Sequence, residues 1–574
     1  MSEGTGVRRQ LRLEAKRNRR RTALKRAGVA VVVLWLALVT WSLWGAYRSS
    51  QAAASGARVM AADFASLDLE RLELVGDDLD DAISKLRHPW VAPVRLIPWV
   101  GRQLNATEQI AVAGREVVDA GEQALEALET ASLDDPVDAL NEVSDELGST
   151  TDRLRSIGVP SGKWLVGPVA AARQDLVENL LDATDEIARY EALVSGLSQL
   201  VSGNTHYVVA AANTSEMGSA SGMLLQVGTM RIDDGQVLIS DFRSVEELGR
   251  PSLVPIDDDV RLMWGSLDPG HLWQYTSHIS SRASEVSRVT ADMWLSDQGE
   301  RMDGVLIISP VAMQILLEAA GVETVDVAGV QLPVIAVTEF FALTQYEEVF
   351  DGQGERRESI APVASAAVRA LLDSEIEPRV LAAALIEAID GRHLTLWSRD
   401  PAQQQRWQTA LAAGDPPQDS VKVAVLNAGG NKLDRFLNVQ ANITTSAAAA
   451  GGSVVRIDVG LTNTATADLP SYVQGANAPG SYLGHVVVNI PNFAANVLTG
   501  GDRQLNASAP DGRTHSYAFI IELDPGATAN YFVEFEVPEQ VDALQIEPSG
   551  RFPAISWVVD GTPRLDRRGD FRLG

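Results

Sequence analysis

The sequence predicts a multidomain α+β protein in which helices come first and strands dominate the last third. Three observations support this class: an apolar run without charges over 27–47, amphipathic helical periodicity over 49–200, and alternation of apolar and polar residues after 420. The predicted segments are a basic tail (1–26), a transmembrane helix (27–47), a helical stalk or bundle (49–200), a three-layer α/β core (203–345), a helical segment completing that core (346–418) and an antiparallel β-sandwich (420–565).

The apolar run is long enough to cross a bilayer, because 21 residues at about 1.5 Å each span roughly 30 Å. Ten basic residues precede it and Trp41, Trp44 and Tyr47 close it, as expected for a retained helix with a cytoplasmic N-terminus and an extracellular bulk. The alternative is a cleaved signal peptide, for which Ala52 to Ala54 offer a small-residue cleavage site.

Composition restricts the partners of the exported part. Beyond residue 26 the chain holds 38 basic and 74 acidic residues, so nucleic acid is not expected as a partner and any phosphate-bearing ligand needs a local basic pocket. The chain contains no cysteine, which suits a Gram-positive type of cell surface.

The stalk prediction rests on apolar stripes at helical spacing, and Asp134-Asp135-Pro136 is typical of a helix start. Gly114 and Gly121 lie on the apolar face of one stripe and weaken that helix prediction. Residues 88–99 hold three prolines, Trp90 and Trp99, so they form either a packed connection or a contact with lipid headgroups.

The α/β prediction rests on apolar strand patterns at 207–212, 223–230, 236–241 and 305–308, separated by helical patterns. Asp233-Asp234-Gly235 predicts a hairpin turn between two of these strands. In the last domain, Val455, Ile457, Val459 and Leu461 alternate with polar or small residues, as in a β-sandwich strand.

The candidate site is a polar loop at 213–222 between two predicted strands. Loops at strand ends of α/β sheets commonly bind ligands, which selects Asn213, Glu216, Asp241 and Arg243 as candidate ligand-binding residues. Glu216 and Asp241 could hold a divalent metal such as Mg²⁺, and Arg243 a pyrophosphate. The alternative is a turn with a surface ion pair. Dinucleotide and hydrolase motifs do not occur, and residues 158–164 depart from a phosphate-binding loop in glycine spacing.

Several short motifs occur in an order that resembles the bacterial domain-of-unknown-function family 4012. They are Asn213-x-x-Glu216, Asp233-Asp234-Gly235, Met302-Asp303-Gly304-Val305-Leu306, Asn431-Lys432-Leu433-Asp434 and Leu469-Pro470-Ser471-Tyr472-Val473. The resemblance covers about residues 85 to 565. It implies a membrane-anchored envelope protein of actinobacterial or other Gram-positive type.

A weaker resemblance links Phe242-Arg243 and the unit from Asp303-Gly304-Val305 to Gly321-Val322 with the LytR-CpsA-Psr phosphotransferases. It implies a core of that fold, with polyprenyl-pyrophosphate-linked glycan and peptidoglycan as partners of a phosphotransferase. Arg243 would then neutralise the pyrophosphate and Asp303 would orient an acceptor, both as catalytic residues, while Glu216 and Asp241 would place Mg²⁺. An inactive relative fits the same residues.

The expected function is therefore cell-wall or surface glycopolymer assembly or attachment at the outer face of the membrane. The alternative is a surface scaffold or binding protein without catalysis.

Overall fold

The computed structural model describes residues 69–130, 136–233, 235–327, 330–346, 376–449 and 451–573. The predicted membrane-spanning segment at 27–47 lies outside these ranges. Within them, no helix combines the length and hydrophobicity that a membrane crossing requires. The chain divides into two compact units, one of residues up to 128 with 145–188, the other of residues 129–144 with those from 189 onward.

The first unit is helical, as predicted. The long helices that begin the described chain are α1 (Leu69–Arg87), α2 (Pro98–Thr130), α3 (Pro136–Ser156) and α4 (Gly167–Ser202), with a 3₁₀ helix (Ala92–Leu96) between α1 and α2.

Two of the three glycines of α2, Gly114 and Gly121, face α1. A Cβ atom on Gly121 would lie 3.7 Å from Leu72 Cδ1, and one on Gly114 would lie 3.5 Å from Leu79 Cδ2. Leu72 thus contacts the later glycine and Leu79 the earlier one, so α1 and α2 are antiparallel. At these distances a Cβ atom would make ordinary van der Waals contacts, so both positions could also accept alanine.

After α4, the second unit contains a mixed sheet. Its strands are β1 (Thr205–Met217), β2 (Gly222–Asp233), β3 (Gln236–Ile239), β4 (Arg243–Ser244), β5 (Gly304–Ile308) and β8 (Leu394–Ser398). Their order is β3-β2-β1-β5-β8, with β4 paired to β2. β1 is parallel to β5, and the other pairings of this sheet are antiparallel.

Helices cover both faces of this sheet. The helices of this part are α5 (Asp258–Trp264), α6 (Ala283–Gln298), α7 (Pro310–Ala319), α8 (Val337–Ala342), α9 (Pro378–Asp390) and α10 (Pro401–Thr409). A small hairpin of two strands, β6 (Thr324–Val327) and β7 (Val330–Pro333), lies between α7 and α8 in the chain. Val208 and Ala210 pack in one core with Val286 and Val289 of α6. Because side chains alternate along a strand, the residues between them face the other side, where α7 and α8 contact β1.

The C-terminal part is a sandwich of two six-stranded sheets. Its strands and one short helix are β9 (Ser420–Asn427), β10 (Leu437–Ala447), β11 (Ser453–Asn463), α11 (Ser471–Gln474), β12 (Tyr482–Pro491), β13 (Ala495–Gly501), β14 (Leu505–Asp511), β15 (Thr514–Leu523), β16 (Thr528–Val537), β17 (Ala543–Glu547), β18 (Ser556–Val559), β19 (Thr562–Arg564) and β20 (Gly569–Arg572). The strand orders are β13-β16-β11-β10-β18-β19 in one sheet and β14-β15-β12-β9-β17-β20 in the other. The mixed α+β organisation with helices before several sheets is thus confirmed.

A buried charged cluster joins the sandwich to the α/β core. Glu547, at the end of β17, accepts hydrogen bonds from Arg392 Nη1 at 2.8 Å and from Arg568 Nε at 2.9 Å. Arg392, which lies between α9 and β8, also donates to the carbonyl of Ser281 at 2.7 Å. The Glu547 carboxylate therefore binds one arginine from the α/β core, Arg392, and one from the sandwich, Arg568. Through Arg392 it is also linked to the backbone of Ser281.

Gly304→Ala should destabilise the core. A Cβ atom there would lie 2.1 Å from Tyr207 Cε1 and 2.4 Å from the carbonyl oxygen of Trp397, so backbone as well as side chain would have to move. The expected loss is about 1–3 kcal/mol of unfolding free energy, measured by urea unfolding of the full chain in detergent. Gly265→Ala is the control, since the nearest atom to its Cβ would be Arg261 Cγ at 3.9 Å. Equal stability of the two variants would contradict the packing.

Candidate functional site

A cavity of about 340 Å³ opens at one edge of the mixed sheet in the second unit. This volume falls within the range of roughly 300–1,000 Å³ that is usual for ligand pockets. Its lining comprises Ala211, Ala212, Asn213, Glu216, Met223, Leu225, Gln226, Ser244, Val245, Glu246, Gln274, Tyr275, Ile308, Ser309, Pro310, Met313, Phe341, Gln345, Tyr346, Asn427, Ala428, Gly430, Lys432 and Tyr472.

The position of the cavity follows from the strand directions. Because β1 and β5 are parallel, their carboxyl ends meet at one edge, which brings Asn213 next to Ile308 and Ser309. The sandwich supplies the opposite wall through the loop after β9, with Ala428 and Lys432, and through Tyr472 of α11. Two predicted domains therefore build one site.

A buried ion pair between Glu216 and Lys432 lies in the wall of this cavity. Asn213 Nδ2 donates to Glu216 Oε2 at 3.2 Å, and Lys432 Nζ lies 5.4 Å from the centre of the Tyr472 ring. Burial lowers the pKa of Lys432, but Glu216, Tyr346 and Tyr472 outweigh it, so that the pKa is raised. Lys432 is therefore an ammonium ion at neutral pH, and Glu216 neutralises it.

Asp434 fastens the loop that carries Lys432. Its carboxylate accepts hydrogen bonds from the Met217 backbone nitrogen at 3.1 Å, Asn427 Nδ2 at 2.9 Å and the Tyr482 hydroxyl at 3.0 Å. Burial raises the pKa of Asp434 to about 6, against the opposing influence of Arg551 and these donors. Since Met217 is the last residue of β1, Asp434 links the sandwich loop to the strand that carries Glu216.

Several polar groups of the lining are open to a ligand. Within the described ranges, no residue hydrogen-bonds the side-chain amides of Gln226 and Gln274, and the buried Gln345 Oε1 also lacks a donor. The charged side chains of the lining are Glu216, Glu246 and Lys432, so its formal charge is negative. The arrangement offers amide groups and aromatic faces, with one cation that is already paired.

Of the residues predicted from sequence, Asn213 and Glu216 lie in this cavity and Arg243 does not. Ser244 pairs with Gln226 across β4 and β2, and both line the cavity. Arg243 precedes Ser244 in the strand and therefore points to the other face of the sheet. There its guanidinium donates to Gln298 Oε1 at 3.4 Å and lies 5.9 Å from the ring centre of Trp294.

Asp241 and Asp303 also lie outside the lining. Asp241 is exposed between β3 and β4. Asp303 precedes β5, at the opposite end of the strand from the cavity, and its Oδ2 accepts from the His206 backbone nitrogen at 2.9 Å. The described residues contain no cluster of three or more histidine and acidic side chains suited to a metal ion. Because Glu216 is paired with Lys432 and Asp241 does not share its cavity, these two residues do not fit a shared Mg²⁺ site.

Sequence reasoning about the site missed Lys432, Tyr472 and the three glutamines. Lys432 and Tyr472 occur in the family motifs quoted above, and this was a usable signal, although it did not indicate that they meet Glu216. Gln226 lies in a strand pattern and Gln274 and Gln345 follow no motif, so nothing in the sequence marked them.

The fold defines a protein with an α/β core and a β-sandwich that together line one cavity. Residues 202–346 match the family model described as a protein of unknown function, DUF4012, which confirms the family that the motifs predicted. This segment contains Asn213 and Glu216 but ends before Lys432. No curated protein and no solved structure matches the chain.

Proposed function

We propose that this chain is a membrane-anchored extracytoplasmic protein of the bacterial envelope that binds a saccharide segment of a wall or surface glycopolymer in the cavity. It acts as a binding protein that holds the polymer during assembly or attachment. The observation that carries this proposal is the chemistry of the lining.

A sugar presents hydroxyl groups at its rim and C–H groups on its faces. Hydroxyls require donors and acceptors such as the free amides of Gln226 and Gln274, and C–H faces suit aromatic rings such as Tyr275, Tyr346 and Tyr472. The ion pair of Glu216 and Lys432 adds a charged acceptor and donor that are already in place.

An anionic head group suits the cavity less well. A pyrophosphate is usually held by several unpaired cations, whereas Lys432 is paired and the two other charged groups of the lining are carboxylates. If the bound polymer is linked to polyprenyl pyrophosphate, the saccharide therefore occupies the cavity and the pyrophosphate lies outside it. Metal-assisted transfer is not part of the proposal.

The proposed compartment rests on the sequence. The apolar run at 27–47, the ten basic residues before it and the absence of cysteine support a single membrane crossing with the cavity on the outer side. Peptidoglycan and the glycopolymers attached to it are then within reach of the cavity.

Ala428→Trp should abolish saccharide binding. Ala428 is an exposed residue of the lining, so an indole there blocks the cavity with little risk to the core. The affinity of the purified full chain for neutral oligosaccharides released from the envelope should fall at least about tenfold, which is 1.4 kcal/mol or more of binding free energy. Fluorescence anisotropy with labelled oligosaccharides measures it.

Ala402→Trp is the matched control, because Ala402 is exposed on α10 and does not line the cavity. Its affinity should equal that of the unmodified chain. Saccharide binding that survives in Ala428→Trp would contradict the proposed site.

A further inference from the structure

The first unit carries an exposed apolar surface that is separate from the cavity. Leu96, Trp99 and Trp164 have exposed fractions of 83%, 61% and 77%. Ile97 and Pro98 are also exposed, so four consecutive residues face solvent at the turn from the 3₁₀ helix into α2. Large apolar side chains exposed together usually mark an interaction surface.

The two tryptophans belong to one surface although 65 positions separate them in the chain. Pro98, Arg102, Lys163 and Trp164 line the same shallow depression. Gln103, one turn after Trp99 in α2, donates from Nε2 to the carbonyl of Trp164 at 2.9 Å and accepts from the Val166 backbone nitrogen at 3.0 Å. We call Leu96, Ile97, Pro98, Trp99 and Trp164, with Arg102 and Lys163, the tryptophan patch.

The charge of the tryptophan patch is opposite to that of the exported chain. Arg102 and Lys163 are exposed, and neither side chain forms an ion pair with any described residue. The chain as a whole has a net charge of −28. The tryptophan patch therefore combines two exposed indoles with two cations that no described residue pairs.

We propose that the tryptophan patch binds the surface of an anionic lipid bilayer. Indole rings favour the boundary between headgroups and acyl chains, and lysine and arginine near the surface are attracted by anionic lipids. Leucine and isoleucine side chains add apolar area that can enter this boundary. The proposal rests on the membrane anchor of the proposed function and does not depend on the saccharide cavity.

The length of the chain before α1 allows this contact. Residues 48–68 lie between the predicted membrane span and α1, and fully extended they cover at most about 75 Å. α1 has 19 residues and is about 28 Å long. The turn that follows α1 can therefore reach back to the bilayer in which the chain is anchored.

The test uses the absence of cysteine from the chain. Trp164→Cys in the full chain is labelled with an environment-sensitive fluorophore and reconstituted into vesicles of phosphatidylcholine with or without phosphatidylglycerol. We expect a blue-shifted emission and quenching by brominated lipid when phosphatidylglycerol is present, and a smaller shift after Arg102→Glu with Lys163→Glu. Trp99→Cys provides a second, independent label position.

Leu181→Cys is the matched control, because Leu181 is also an exposed apolar residue of the first unit, at 59%. Its label should keep the emission of an aqueous site in both kinds of vesicle. Aqueous emission at both tryptophan positions would overturn the proposal. A blue shift that depends on the protein density in the vesicles and not on lipid charge would also overturn it, because it would indicate contact with a second copy of this chain. Flotation with the vesicles tests the anchor separately, and a chain that does not float would remove both the anchor and the patch proposal.

Discussion

Glu547→Ala should lower the free energy of unfolding by about 3–5 kcal/mol, since removal of one partner from a buried ion pair leaves the other charge uncompensated. In this case Arg392 loses its carboxylate partner, and Arg568 keeps only the contact with Asp390 at 3.4 Å. Arg392 and Glu547 are fully buried, and Arg568 is nearly so. The cluster joins the sandwich to the α/β core, and both domains supply walls of the cavity. Loss of the cluster should therefore also destabilise the arrangement of those walls.

The pH dependence of the unfolding free energy tests whether the ionised carboxylate of Glu547 provides this stabilisation. Burial raises the pKa of Glu547, but Arg568 and Arg392 outweigh it and lower the pKa from 4.5 to about 2. A carboxyl group with a depressed pKa stabilises the folded state above its unfolded pKa, and this contribution is lost as the pH falls through the folded pKa. For Glu547 the contribution amounts to about 3 kcal/mol and disappears between about pH 4.5 and pH 2.

The measurement compares urea unfolding of the unmodified chain with that of Glu547→Gln at pH 7, 4.5 and 2. The stability difference between the two proteins should decrease toward low pH. A difference that stays constant over this range would show that folding does not lower the pKa of Glu547, contrary to the cluster described above.

Glu216→Ala should destabilise the protein by about 3–5 kcal/mol, because the buried ammonium of Lys432 would lose its counter-ion. The substitution also removes the acceptor of the Asn213 amide. The free energy of unfolding in urea, followed by circular dichroism, measures the loss. We expect saccharide binding to fall with it, since both residues of the pair line the cavity.

Two variants separate the buried charge from other effects. Glu216→Gln combined with Lys432→Met removes both charges, so this double variant should be more stable than Glu216→Ala. Glu522→Ala breaks the exposed pair with Arg503 and should cost less than about 1 kcal/mol. If Glu216→Ala were no more damaging than Glu522→Ala, the ion pair would not be the buried contact described here.

The strands and helices were predictable where periodicity decides them. Residues 305–308 form most of β5 because a short run of branched apolar side chains fits a buried strand, and Val455 to Leu461 alternate because one face of β11 is buried. The glycines of α2 were harder to interpret. Gly114 and Gly121 face Leu79 and Leu72 of α1, and helix propensity contains no information about that neighbour.

The site was predictable only in part, for the same reason. Asn213 and Glu216 were found because the end of a buried strand is a local feature of the sequence. Arg243 was also at a strand end, but the side to which it points depends on the register of β4 against β2, which spacing alone does not set. Lys432 is 216 positions from Glu216, and their contact arises only when the sandwich packs on the core.

The most direct test of the saccharide site is a pair of calorimetric titrations of the full chain in detergent, one with neutral envelope oligosaccharides and one with inorganic pyrophosphate. We expect the oligosaccharide to bind and Ala428→Trp to prevent this, whereas Arg243→Ala leaves it unchanged and pyrophosphate gives no heat of binding. Pyrophosphate binding that Arg243→Ala abolishes, together with no response to the oligosaccharides, would contradict the account.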